Sequence, residues 1–172
     1  RIMRTGATVL ALGGGSWPQL GSDGGWVGPL RERGVEVAPL QPSNCGFDVG
    51  WGGHFATRHA VAPLKPVIAH WRDGDGGEHS LQGECVGTAT GIEGSLVYAL
   101  SATLRDAVER DGSTVLWLDL VPGRALERLQ RELGRPRGGR SLSEHLRRQA
   151  GIDGVKAALL REILGATALA DM

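Results

Sequence analysis

Cysteine is scarce in this sequence: Cys45 and Cys85 are the only two in 172 residues. Neither belongs to a C-x-x-C pair, and two cysteines make neither a disulfide framework nor a zinc site, so reduced, buried thiols in a cytoplasmic protein are the expectation. An excess of charge of one sign is missing as well. Nineteen Lys and Arg stand against nineteen Asp and Glu, without the basic surplus that marks a dedicated nucleic-acid binder. No apolar run approaches the roughly 20 residues of a membrane span, and no signal-peptide pattern is read. Neither nucleic acid nor membrane is therefore an expected partner.

Several catalytic signatures are absent too. The histidines at 54, 59, 70, 79 and 145 show no H-E-x-x-H or other ligand spacing, so no metal site is expected. No serine lies in a G-x-S-x-G elbow. Gly15 to Gly21 is one residue too long for a P-loop and no Lys follows Gly21, so Walker A fails. Gly13-Gly14-Gly15-Ser16-Trp17-Pro18 does not spell G-x-G-x-x-G.

Glycine, by contrast, is plentiful, 28 of 172 residues, without the strict period of collagen. It concentrates in Ala7–Gly25, A-T-V-L-A-L-G-G-G-S-W-P-Q-L-G-S-D-G-G. The apolar run Ala7–Leu12 reads as a short buried strand. Three glycines follow that can take positive φ and admit a close neighbour, and a second glycine turn leads into a helix over Gly25–Arg33. Successive N–H groups in such a turn, beside a helix start, suit an anion such as a nucleotide phosphate or flavin. A plain strand-to-helix connection fits the same residues.

Farther along, Val35–Ala38 reads as a short strand. Residues 43–66, rich in Gly, Pro and single aromatics, read as loop with one or two short strands and as the boundary between two units. Alternation over Val67–Trp71 and Leu81–Thr88, joined by Asp73-Gly74-Asp75-Gly76-Gly77, predicts a β-hairpin. A helix is expected over Ser95–Arg110, with Leu96, Leu100, Thr103, Leu104, Ala107 and Val108 on its apolar stripe. Thr114–Leu120 reads as a strand. Pro122 fits the first turn of a helix reaching Leu133. Ser141-Leu142-Ser143-Glu144 is a capping box opening a helix to Ala150, and Val155–Leu164 completes a run of three helices. Strands, helix, strand, then helices indicate an α+β fold.

Beyond the glycine stretch, chemical candidates are few. Glu84 or Glu93 could act as a general acid or base, but a solvated or capping role accounts for each. Gly91–Ser95 is a second anion-binding helix start or a plain turn with Ser95 as N-cap. The arginines at 124, 128, 131, 135, 137 and 140 suit a solvated helix face and loop.

The segment L-A-L-G-G-G-S-W-P-Q-L-G-S-D-G-G (10–25) resembles the T-G-G-x-S-[YW]-P-x-x-G-[ST]-x-G-x-G pattern of BaiN/YhiN-like flavoproteins, bacterial NAD(P)/FAD-dependent oxidoreductases. The likeness continues through P-L-Q-P-S (39–43), A-P-L-K-P-V (62–67), G-E-C-V-G-T-A-T-G-I-E-G-S-L-V-Y-A-L-S (83–101) and L-W-L-D-L-V-P (116–122). In that family an inserted domain, with a small β-barrel-like sheet and a helical cluster, interrupts a Rossmann-type FAD domain. The resemblance implies a partial FAD-binding segment over 1–43 and an inserted, substrate-side domain over 44–172. It implies that Gly13, Gly14, Ser16, Trp17, Pro18 and Gly21 lie against FAD. Ala11-Leu12 stands where the family commonly has Ala-Thr, which leaves one hydroxyl contact unaccounted for.

The resemblance also implies a middle fragment of an oxidoreductase. Neither the G-x-G-x-x-G strand–turn–helix nor the closing glycine-rich segment is in the sequence, and Arg1 in first place agrees. Such a chain is expected neither to retain FAD nor to act alone. Its partners would be the rest of the FAD domain and a small-molecule substrate, with a homodimer through the Ala7–Leu12 edge as a further expectation. No catalytic residue is assigned. The alternative is a non-catalytic small-ligand-binding or protein-interaction domain in which Gly13–Gly25 is only a turn.

Overall fold

The structure, a computed structural model, describes residues 4–170. The chain divides into two units at Pro42 and Ser43. In the first, a single 3-10 turn over Pro18–Leu20 precedes α1 (Val27–Arg31). In the second, β1 (Phe47–Asp48) and α2 (Gly53–His59) lead to β2 (Pro63–Arg72), β3 (Glu78–Gly87) and β4 (Gly91–Glu93). Then come α3 (Ser95–Asp111), β5 (Trp117–Asp119), α4 (Leu126–Leu133), α5 (Leu142–Ala150) and α6 (Gly154–Ala170). The architecture is α+β, with a small antiparallel sheet and a helical group.

The predicted hairpin is the centre of the second unit. β2 and β3 pair antiparallel with Val67 opposite Gly83 and Trp71 opposite His79. The five strands lie in the order β1-β4-β3-β2-β5, every neighbouring pair antiparallel. Leu64, Val67 and Ala69 of β2 are all buried. Strict alternation would put Leu64 and Val67 on opposite faces, since they are three residues apart. The ladder is irregular between them, and that irregularity returns both side chains to the core.

Helix α3 lies over this face with Leu96, Val97, Leu100, Ser101, Leu104 and Ala107 buried. The predicted stripe is therefore right at Leu96, Leu100, Leu104 and Ala107, whereas Val108 is exposed and Thr103 only half-buried. Each large aliphatic side chain buried here contributes about 1.5–3 kcal/mol. The Ser101 hydroxyl accepts the Cys45 N–H at 3.0 Å and lies 3.0 Å from the Cys45 carbonyl oxygen, tying the approach to β1 onto α3. Lys156 of α6 donates to the carbonyls of Pro66 (2.8 Å) and Leu120 (2.6 Å), anchoring the helical group to the sheet. A second apolar cluster, Leu146, Ala150 and Ile152, sits inside that group.

Several expectations need correction. Ala7–Leu12 forms no strand and is exposed throughout. A β-branched apolar run favours a half-buried pleated surface but needs a ladder partner, and no described strand offers one. Val35–Ala38 is likewise not a strand, and the Val37 carbonyl accepts the Arg31 guanidinium at 2.9 Å instead. The loop read over 43–66 contains α2. A seven-residue helix with two glycines in or next to its first turn has weak intrinsic propensity. It is held by Phe55, buried against Trp51 with ring centroids 4.6 Å apart, and by Glu162, whose carboxylate accepts the Gly52 N–H. The helix expected from Pro122 starts only at Leu126, because Gly123 takes φ 88° and breaks any helix there. The strand expected over Thr114–Leu120 is paired only at Trp117–Asp119.

Candidate functional site

The glycine stretch folds into one double turn. Trp17 and Ser22 exchange both backbone hydrogen bonds at 3.0 Å, closing the 3-10 turn between them. Gly24 N–H donates to the Gly14 carbonyl (3.0 Å), and the Trp26 indole N–H donates to the Gly13 carbonyl (3.1 Å). Gly13, Gly14, Ser16, Trp17, Pro18 and Gly21 are thus brought together in a single feature. Positive φ occurs at Gly13 (73°), Gly21 (82°) and Gly24 (69°), and not at Gly14.

The N–H groups of this turn are only partly engaged, those of Gln19 and Asp23 having no partner among the described residues. The N–H groups of Gly21, Ser22 and Gly24 are engaged internally. Those of Gly13, Gly14, Gly15 and Ser16 have no partner among the described residues. A Cβ on Gly13 would meet nothing within 4 Å, and one on Gly14 would meet only the Ser22 hydroxyl at 3.4 Å, so the backbone is open to a ligand from this side. Four consecutive unpaired N–H donors can cradle an anionic or carbonyl oxygen. Helix α1 adds little to this, because five residues carry a small dipole.

The other candidates disperse. Glu84 is exposed, with Lys65 3.9 Å away. Glu93 is exposed, with the Tyr98 hydroxyl at 3.5 Å. Ser95 is the first residue of α3 rather than its N-cap, which is Gly94. The arginines do not form one patch: Arg124 and Arg128 both pair with Glu132, at 3.1 and 3.0 Å, and Arg124 donates to the Gln149 carbonyl at 2.7 Å. The hydrogen bond from Arg128 leads in holding the Glu132 carboxyl below the usual range. The Cys85 thiol is buried, and burial pushes its pKa up to about 11, which makes it a core residue rather than a nucleophile.

The histidines are equally scattered. His145 is buried and donates from Nε2 to the Leu133 carbonyl at 2.8 Å. His79 meets Asp73 at 2.6 Å, and that hydrogen bond, with the Gly77 N–H, lowers the Asp73 pKa. Among the described residues no three His, Cys, Asp or Glu side chains converge as metal ligands.

One concave feature has chemical variety. A cleft of ≈ 670 Å³ opens between α2, the start of α5 and α6. Phe55, Ala157 and Ala158 supply its apolar lining, and His54, Arg58, Arg161 and Asp153 are among its polar residues. No sequence pattern points to it, because its parts come from three helices far apart in the chain, one of them, α2, within the stretch that reads as loop.

With sheet and helices in view, the comparison with known proteins is direct. A family model described as HI0933-like protein barrel and H2TH domain matches residues 41–170. The chain belongs to the HI0933-like family. This is a family of flavoprotein oxidoreductases, associated with FAD in the complete proteins. No curated protein matches the chain. The HI0933-like match covers the five-stranded sheet and helices α2 to α6, and begins after the glycine double turn. Sequence reasoning passed over Ser101, Lys156 and Glu162, whose hydrogen bonds tie elements of this domain together. Their only signal would have been a small or charged residue beside an apolar stripe.

Proposed function

We propose that this chain is part of a flavin-dependent oxidoreductase. In this reading residues 1–43 are a segment of the FAD domain and 44–172 the inserted domain that covers the substrate side of the flavin. The observation that carries it is the glycine double turn, with its free N–H groups at Gly13 through Ser16 and its exposed Trp17. Those N–H groups would donate to oxygens of FAD, while Trp17 and Pro18 would lie along the cofactor and Gly21 would shape the turn. The flavin supplies the hydride chemistry, exchanged with NAD(P) and a small-molecule substrate, and the protein supplies position and environment.

The chain alone does not enclose a dinucleotide. Dinucleotide sites rest on a strand–turn–helix that meets the pyrophosphate, and ligand pockets bury most of their ligand. Among described residues 4–42 none is buried. The Ala7–Leu12 backbone is accordingly the place where the rest of the FAD domain adds its strands, with a second copy of the chain able to compete for the same edge.

The experiment is an FAD titration of the 172-residue chain, followed by flavin fluorescence, beside the complete flavoprotein. The chain should show no saturable binding in the micromolar range, and the complete protein should be yellow. Micromolar binding by the chain would overturn the fragment reading. In the complete protein, Gly14→Val should strip FAD, because its branched side chain fills the open approach to the turn. Normal flavin content in a folded Gly14→Val protein would remove the glycine turn from the site.

A further inference from the structure

Strand β3 has a long edge that no described strand covers. It runs ten residues and pairs with β2 from Glu78 to Val86, but with β4 only at Val86 and Gly87. Its alternation fixes which backbone groups are left over. The Gly77 carbonyl accepts the Asp73 N–H (3.0 Å), and the Gly87 N–H donates to the Ala62 carbonyl (3.3 Å), so odd-numbered residues bond towards β2. Even-numbered residues face away, and at Glu84 the carbonyl has the Ser95 hydroxyl 3.5 Å from it. The backbone groups of Glu78, Ser80 and Gln82 on that side have no partner among the described residues, and residues 78–82 are all exposed.

The other open edges of the sheet are short: β5 has three residues and β1 has two. Brevity, proline and charge are the usual ways to blunt an edge. Between Glu78 and Glu84 the β3 edge reads His79-Ser80-Leu81-Gln82-Gly83, with no proline, lysine or acid. An unpaired and unprotected edge of this kind is a template for another strand.

The side chains along the edge select that strand. If β3 pairs antiparallel with β3 of a second copy, even residues stand opposite even residues. A two-fold axis at Leu81 would set Glu78 opposite Glu84 twice, and directly opposed like charges destabilise a sheet. An axis at Gln82 would set Glu78 opposite Val86, which β4 already holds. An axis at His79 would pair only residues 78–80. An axis at Ser80 pairs 78–82 and has none of these faults. It sets Ser80 opposite Ser80, hydroxyl to hydroxyl, and Glu78 opposite Gln82, amide to carboxylate. On the other face it sets His79 beside Leu81. Leu81 shares a face with Ala69, its partner on β2, yet is 41% exposed where Ala69 is 0%. The His79 ring, stacked on Trp71 at 5.4 Å between centroids, would cover it.

We propose that β3 is a self-association edge, pairing antiparallel with β3 of a second copy of this chain about a two-fold axis at Ser80. The contact is isologous and joins two five-stranded sheets into one. With five residues a side, against the roughly 20–30 of a stable interface, the dimer is weak.

The test is sedimentation equilibrium of the 172-residue chain up to about 1 mM, the weak end of the affinity scale. A dimer should appear as that concentration is approached. Ser80→Lys, which opposes like charges on the axis, should weaken it about fivefold, the upper end for one cross-strand pair. Ser80→Pro should abolish it while the hairpin stays folded, because the lost N–H faces away from β2. Under mild oxidation Ser80→Cys should link two chains above the background set by Cys45 and Cys85 in the parent. Opposed residues of this kind lie roughly 5.5 Å apart at Cα, within disulfide reach, whereas Gln82→Cys should link far more slowly. A chain that stays monomeric at about 1 mM would overturn the proposal. So would a dimer that survives both Ser80 substitutions, as one built on Ala7–Leu12 would, or Gln82→Cys linking as fast as Ser80→Cys.

Discussion

Val9 and Leu20, in residues 4–42, are 88% and 81% exposed, whereas Val67 and Leu100, in residues 43–170, are 0% and 2% exposed. The residue types are alike, so composition does not separate the two regions. Partners do. In the second region a two-strand ladder presents one face to a seventeen-residue helix, and each element buries the other's apolar side. In the first, the ordered elements are a three-residue turn and a five-residue helix. Hydrogen bonds hold the double turn locally, but among described residues 4–42 no second layer covers it. A domain needs two packed layers around a core, and only residues 43–170 have them.

The most forceful way to break this comparison is to make the same substitution in both regions. Leu100→Ala should destabilise the chain by about 2–5 kcal/mol, the range for a leucine removed from a packed core. Leu20→Ala should change stability by no more than about 0.5 kcal/mol. Urea unfolding of both variants decides it. A large loss at Leu20 would mean that the first region has a core after all.

A second, smaller effect sharpens the account of how the sheet meets α3. Ser101→Ala removes the hydroxyl that bonds both backbone groups of Cys45. Leaving those groups unsatisfied should cost about 1–3 kcal/mol. Equal stability of Ser101→Ala and the parent would show that the tie contributes nothing.

Smaller again is the cap of α5. The Ser141 hydroxyl accepts the Glu144 N–H at 3.3 Å, so half of the predicted capping box is present. The other half is not: the Glu144 carboxylate turns to Arg147 and Arg148. Ser141→Ala should therefore cost about 1 kcal/mol, read as faster amide exchange confined to α5. Unchanged exchange there would contradict the cap.

The smallest effect is a pH dependence. Hydrogen bonds from Arg147 and then Arg148 lower the Glu144 pKa from 4.5 to about 2. A carboxyl whose folded pKa lies below its unfolded value stabilises the fold above the unfolded pKa and loses that contribution as pH falls through the folded one. The contribution is thus present above about pH 4.5 and gone near pH 2. Because the group is solvent-facing, the increment is slight. Glu144→Gln should make the melting temperature of the chain less sensitive to acid between those values, and an identical acid profile would refute the pairing.

What could be read from the sequence follows the same division. Periodicity found the β2–β3 hairpin, α3, α5 and α6, because in each the pattern repeats over enough residues to fix a face. It misread Ala7–Leu12, whose apolar run states a preference for a sheet without supplying one. It missed α2, whose helix depends on Phe55 meeting Trp51 and on Glu162, far along the chain, reaching the Gly52 N–H. The glycine turn was legible as a turn from its residue types, and as a flavin contact only through resemblance. The cleft was not legible, since its lining comes together only when α2, α5 and α6 pack.

Amide hydrogen exchange along the 172-residue chain, without and with FAD, tests the central claim most directly. The claim is that residues 43–170 fold on their own and that the flavin segment has no core until the rest of its domain covers it. The account predicts slow exchange in β2, β3 and α3, and fast exchange across Ala7–Gly25 that FAD does not change. Strong protection of Ala7–Gly25 in the chain alone, or protection appearing there when FAD is added, would contradict it.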